Sequence, residues 1–154
     1  IKELVSNLIE EMQSITLNPP IDPIENTKFF VNNVAATFEK DINFYRAALM
    51  SAEHLRLFDP RIPDGPFQQA QQLAAPNKKW YERGLLLGNV KPSIIMKKVH
   101  DSNRLARIDW VLGYIDLNQF RHKAMKGILL VYATDASPEL HVLLIEEINR
   151  LNSL

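Results

Sequence analysis

Residues Trp110 to Leu154 read WVLGYIDLNQFRHKAMKGILLVYATDASPELHVLLIEEINRLNSL, and the rest of the chain is best approached from them. Asp116, with Gln119 three positions on, has the form of a capping box. The carboxylate accepts the Gln119 backbone N–H while the Gln119 side chain returns to the cap, so a helix starts near Leu117. Leu117, Phe120, Ala124, Gly127, Ile128 and Val131 make one apolar stripe on it, and Met125, Leu129 and Tyr132 make a second beside the first. Asp135-Ala136-Ser137-Pro138 then breaks the helix and starts another. Ser137 is the cap and Pro138 takes the first helical position, where its missing N–H costs nothing. The last helix carries Leu140, Leu143, Leu144, Ile145, Ile148 and Leu151, again over more than one stripe.

A helical hairpin with this much apolar surface needs a cover, and two covers satisfy it. One is burial inside the same monomer, since core helices of all-α domains have this pattern. The other is a dimer, with Met125, Leu129, Tyr132, Leu140, Leu144 and Ile148 as the interface. Gly127 costs about 1 kcal/mol relative to Ala inside a helix. That cost is intelligible if Ala124 and Gly127 admit a closely packed neighbouring helix.

Upstream, the same logic places further helices. Leu4, Val5, Leu8, Ile9, Met12 and Ile15 repeat at three and four, and Asn18-Pro19-Pro20 ends that element. Asp22-Pro23-Ile24-Glu25 combines a capping Asp, a Pro at the first helical position and a Glu placed for a return hydrogen bond. The helix it opens runs through Phe29, Phe30, Val31, Val34 and Phe38. Asp41 caps a third, whose expected buried stripe is Phe44, Tyr45, Ala48, Leu49, Ala52 and Leu55, ending before Pro60. Four of the nine prolines, Pro60, Pro63, Pro66 and Pro76, fall between Phe58 and Asn77 and mark an irregular stretch. Short helices are expected over Phe67 to Ala75 and Trp80 to Leu87. A long one is expected from Pro92 to about Gly113, with Ile94, Ile95, Val99, Leu105, Ile108 and Leu112 on its stripe and Lys97, Lys98, Arg104 and Arg107 off it. No alternating strand pattern, hairpin turn or internal repeat is present, so the expected fold is an all-α helical bundle of about seven to eight helices.

Composition narrows the function. The 154 residues hold 18 basic and 18 acidic side chains and no cysteine, which fits one domain with a sizeable core and excludes a disulfide framework. A net charge of zero argues against non-specific nucleic-acid binding by this chain. No apolar run reaches the roughly 18 to 20 residues a membrane helix needs, and a cytoplasmic setting is expected. Gly-rich phosphate loops, G-x-S-x-G, H-E-x-x-H and acidic calcium loops are all missing. His54, His100, His122 and His141 stand singly, so no metal site, cofactor or conventional catalytic constellation is expected. The aromatics Phe30, Phe38, Tyr45, Trp80, Trp110, Tyr114 and Phe120 fit core packing, and the same residues would also suit an apolar pocket with a few polar groups.

Trp110-Val-Leu-Gly113-Tyr-Ile-Asp116-Leu-Asn-Gln-Phe120, followed by Met125, Gly127 and the small-residue break from Ala133 to Ser137, resembles the C-terminal regulatory domain of TetR-family transcription regulators. Asp22-Pro23 and the run from Asp41 to Leu49 resemble the paired helices that follow the DNA-binding head in that family, so the resemblance covers most of the chain. It implies that residues 1–154 form an effector-binding and dimerisation domain, with the last two helices forming a four-helix bundle across a two-fold axis. It implies a small, mainly apolar effector enclosed by Phe30, Val34, Tyr45, Leu49, Trp80, His100 and Phe120, with Tyr45 and His100 supplying hydrogen bonds. DNA is expected to be met only by an N-terminal helix-turn-helix head that this chain does not include. The chain opens without Met inside a helical pattern, in keeping with a segment of a longer protein. The Pro-rich stretch from Phe58 to Pro76 departs from the family's simple run of helices. Two other classes stay open, a helical interaction module without a pocket and an all-α enzyme.

Overall fold

Capping side chains set where the helices begin. The computed structural model describes residues 3, 6–10, 22–57, 61 and 72–154. Within them run α1 (Pro23–Glu39), α2 (Ile42–His54), α3 (Lys78–Glu82), α4 (Pro92–Val111), α5 (Leu117–Ala133) and α6 (Pro138–Asn152), and residues 6–10 are also helical. Asp22 accepts the N–H groups of Ile24 and Glu25 at 2.8 and 3.0 Å, and Glu25 turns to Lys28 at 3.4 Å in place of the expected return bond. Asp41 accepts from Phe44 at 3.1 Å. The Asp116–Gln119 box forms in both directions, each bond 2.8 Å, and Ser137 caps α6 through the Leu140 N–H at 3.2 Å. The fold is all-α. Among the described residues the extended pairing is a single bridge between Leu86 and Ala136, and no helix is long and apolar enough to cross a membrane. The expected ends of the first helix, the Asn18-Pro19-Pro20 stop and most of the Phe67 to Ala75 helix lie outside the described residues.

Helix α5 is the centre of the bundle, packed against α1, α4 and α6. Its two apolar stripes are both consumed there. Phe120, Ala124 and Ile128 face one way, Met125, Leu129 and Tyr132 the other, and all six are buried. A Cβ added at Gly127 would stand 3.0 Å from the Ser102 Cβ of α4, so the close approach for which this glycine is needed is made by α4 of the same chain. The six residues assigned to a dimer interface, Met125, Leu129, Tyr132, Leu140, Leu144 and Ile148, belong to the monomer's own core, Leu129 and Leu144 with 0 % exposure. This corrects the assignment: a side chain already sealed by its own monomer has no surface left for a second copy. The apolar residues these two helices leave outside are Leu130, Val142 and Leu143, each just over half exposed (51, 55 and 51 %).

Three other expectations are corrected by packing. Phe44 and Leu55 do not join the buried stripe of α2, which consists of Ala48, Leu49 and Ala52. The helix expected over Trp80 to Leu87 stops at Glu82, because Gly84 takes a positive φ of 72° and Leu85 and Leu86 turn their N–H groups back to the Trp80 carbonyl at 2.8 and 3.3 Å, a left-handed C-terminal cap. On α4, Ile94 and Leu105 are exposed, as is Leu112 just past its end, while His100, Asn103 and Arg107 are buried along with Ile95 and Val99. Part of the inward face of α4 is therefore polar.

Candidate functional site

A half-enclosed cavity of about 330 Å3 lies where α1, α3, α4 and α5 converge. Thr27 and Phe30 reach it from α1, Trp80 from α3, Val99 from α4, and Ile128 and Tyr132 from α5, with residues 72–75 and Asn77 along its border. Each is delivered by an ordinary local rule. Asn77 caps α3 by accepting the Lys79 N–H at 2.9 Å, which starts the single helical turn that carries Trp80 inward. Thr27 sits one turn into α1 and donates its hydroxyl to the Pro23 carbonyl at 2.8 Å, a bond that lets a buried hydroxyl occupy an otherwise apolar helix face. Trp80 and Tyr132 meet edge to face, their centroids 5.3 Å apart and their planes at 80°, the arrangement that ring quadrupoles favour.

The wall on the Trp80 side is held by a buried carboxylate. Asp135, between α5 and α6 and 2 % exposed, accepts three backbone N–H groups, from Gly88 and Asn89 at 2.9 Å each and from Val90 at 3.2 Å. Its carbonyl takes the Leu87 N–H at 2.8 Å, and Ser137 donates its N–H to the Leu85 carbonyl at 2.8 Å. The segment from Trp80 to Val90 is thus latched to the turn of the α5–α6 hairpin. Tyr81, on the same segment, has its phenol pushed up first by burial and then by the Asp135 charge. Burial, followed by Tyr81, also pushes the Tyr132 phenol above its ordinary 10.0, so both stay neutral at physiological pH.

Two of the seven residues expected to enclose an effector, Phe30 and Trp80, line this cavity. The other five do not, and packing explains each. Phe120 is fully buried in an aromatic cluster with Phe38 and Trp110, whose rings stack at 4.8 Å and 4°, and Tyr45 lies 5.7 Å from Phe38. Val34 and Leu49 are plain core. His100 is buried on the polar side of α4, where desolvation first, then Arg107 and Arg104, lower its pKa from 6.5 to about 4. That polar side is organised by Glu53 of α2, which takes a two-pronged bond from Arg104 at 3.0 and 2.6 Å and stands 3.9 Å from Arg107. Burial lowers the Arg107 pKa to about 10, which leaves it cationic at neutral pH.

Sequence reading missed Thr27, Val99, Ile128 and the border from 72 to 77, and it gave Tyr132 to a dimer face. Trp80 and Tyr132 are brought together across half a hundred residues, and no spacing rule announces such a pair. Asp135 carries one signal in the sequence, a charged residue at a break between apolar helices, and local chemistry assigns it to the turn alone. A second groove, between the start of α1 and α6, is lined by the charged residues Asp22, Glu25, Lys28, Glu146, Glu147 and Arg150 and by Ile24 and Leu143. Lys28 and Arg150 pair with Glu147 there at 3.2 and 2.6 Å, so the charges of the groove are largely matched within it. Comparison with protein-family models, curated proteins and solved structures finds no match to this chain.

Proposed function

We propose that this chain is the effector-sensing and dimerising body of a transcription regulator of the TetR type. The observation that carries the reading is the cavity at Trp80 and Tyr132, because its walls are tied to the α5–α6 hairpin. Tyr132 lies near the end of α5, and the Trp80 to Val90 segment is fastened through Asp135 to the turn that starts α6. A small molecule that prefers one placement of these walls would bias the hairpin, and a dimer formed through the hairpin would pass that bias to two DNA-reading heads. The dimer face in this reading is the outer side of α5 and α6, with Leu130, Val142 and Leu143, in place of the buried side first expected. DNA would be met by separate helix-turn-helix heads on a roughly palindromic site, and this segment by itself should not bind duplex DNA.

Two measurements test the reading together. Sedimentation should find a dimer that dissociates when Leu130 and Leu143 are both changed to Glu. A library of small neutral compounds screened by melting shift should yield ligands that lose their effect when Phe30 is changed to Ala. A persistent monomer that binds none of them would sink the proposal. The exposed apolar residues of α5 and α6 also favour a second reading, a helical interaction module without an effector. A dimer that resists every small molecule would support it.

A further inference from the structure

The arginines of this chain differ in what answers their charge. Arg104, Arg107, Arg121 and Arg150 stand 2.6 to 3.9 Å from a carboxylate oxygen. Arg46 of α2 is half-buried, yet among the described residues no carboxylate or carbonyl accepts from it, and its Nε is enclosed without an acceptor. A half-buried cation has lost part of its hydration and here gains no counter-charge. What holds it is the Trp110 ring, 5.1 Å from the guanidinium carbon, with Phe38 stacked on the same indole at 4.8 Å. Cation–π attraction offsets part of the lost hydration. It uses the flat face of the guanidinium and leaves the N–H edge unused. Because Nε is enclosed, the two terminal nitrogens are what a ligand can meet. Two parallel N–H donors of that kind match the two oxygens of a carboxylate.

The neighbouring positions indicate what carries that carboxylate. Ile42 and Met50, four residues before and four after Arg46 on α2, are 40 and 48 % exposed. Residues four apart are neighbours on a helix surface, so the three make one ridge, apolar, cationic, apolar, about 12 Å long at 1.5 Å per residue. Neither hollow described above includes any of them. A small free acid would answer the charge and cover at most one of the two apolar ends. A second helix covers all three, because side chains at its own four-residue spacing pack against such a ridge. Helix α2 packs on α4 and α1, which sets this ridge apart from the outer side of α5 and α6. Ile9, Leu57 and Leu73, each close in sequence to an undescribed stretch, gather at Ala52. Ala52 is two residues on from Met50 and so on the far side of the helix.

We propose that the ridge of Ile42, Arg46 and Met50 docks an amphipathic helix of a partner protein, one that presents a carboxylate between two apolar side chains at four-residue spacing. The carboxylate takes the terminal nitrogens of Arg46. The apolar pair closes over Ile42 and Met50 and keeps water from the ion pair.

Calorimetric titration of the 154-residue chain at low salt tests this with three probes. They are an alanine-based helical peptide carrying Leu, Glu and Leu at successive four-residue spacings, its twin with Gln for Glu, and 4-methylpentanoate. The Glu peptide is expected to bind at least tenfold more tightly than either other probe. Arg46→Gln should remove that preference. Met50→Glu, at an exposed position that leaves the Trp110 contact in place, should weaken the Glu peptide at least tenfold while the chain melts within a few degrees of the parent. Equal binding of the two peptides, or equal binding of the Glu peptide to the parent and to Met50→Glu, overturns the assignment. If 4-methylpentanoate binds as tightly as the Glu peptide, the occupant is a small acid and the helix is overturned. If Met50→Glu changes the sedimentation of the chain without peptide, a second copy covers the ridge and the partner named is wrong. Binding by none of the probes overturns the proposal outright.

Discussion

Among the described residues, two aromatic groups that each hold a Phe and a Trp are put to different ends. Phe38, Trp110 and Phe120 close on one another, with the first two stacked in parallel at 4.8 Å and the Arg46 guanidinium 5.1 Å from the Trp110 ring centre. Phe30, Trp80 and Tyr132 border a half-enclosed cavity, the last two while almost wholly buried themselves and Phe30 while half-buried. The difference lies in what faces the rings. Around Phe120, long helices supply large side chains from every direction, and ring meets ring. Around the cavity at Trp80, small side chains (Thr27, Ala74 and Ala75) stand among the larger ones, and Trp80 itself is carried by a single helical turn followed by a latched loop. A pocket in a helical bundle arises where small side chains and irregular backbone replace one facing helix, whatever aromatics are present.

The sharpest way to break this contrast is a pair of truncations. Phe120→Ala should cost about 3–5 kcal/mol, because the ring is wholly enclosed and its cavity cannot collapse. Phe30→Ala should cost roughly 1 kcal/mol, since the ring is half-buried and already borders space. Chemical denaturation of both variants decides, and equal losses would mean that the two regions are packed alike.

Next in size is an effect of pH. Had His100 lined the pocket with Tyr45, as first expected, it would be hydrated and titrate near its ordinary value. In the structure its folded pKa is lowered from 6.5 to about 4, so between those values the unfolded state binds the extra proton. Stability contributed by neutral His100 is therefore complete above pH 6.5 and is lost as the pH falls towards 4, by up to about 3 kcal/mol. His100→Gln should flatten that part of the stability profile. An unchanged slope would return His100 to a solvated site.

Asp135→Asn probes the latch. It removes the charge from an acceptor of three N–H groups and aims an NH2 at one of them, so a loss of about 2 kcal/mol is expected. Amide exchange should quicken at residues 88–90 while the Phe120 region stays protected. Uniform loosening of both regions would show that the loop is not a separable wall. The smallest expected effect is Leu143→Glu, within about 0.5 kcal/mol in the monomer because the side chain is half in water. Leu144→Glu beside it should prevent folding. A similar outcome for the two would contradict the inward face assigned to α6.

Reading the chain from its local signals was most reliable where a few neighbouring residues settle the matter. Asp22-Pro23, Asp41, Asp116 with Gln119, and Ser137-Pro138 open the helices expected of them, because a cap satisfies backbone N–H groups within three residues of itself. The all-α class and the double apolar face of α5 follow from the same short-range periodicity. Which partner covers an apolar face is a different kind of question. Leu129 and Leu144 looked alike whether a second copy or the same monomer covered them, since hydrophobic burial is non-directional and hydropathy records only that a face must be hidden. Arg107 reads as lying off the apolar stripe of its helix, yet it is buried there with His100 and Asn103, and Glu53 of another helix stands beside it. The cavity itself depended on Trp80, Asp135 and Tyr132 arriving together from separate elements, and the packing of whole helices, not any local preference, sets the distances between them.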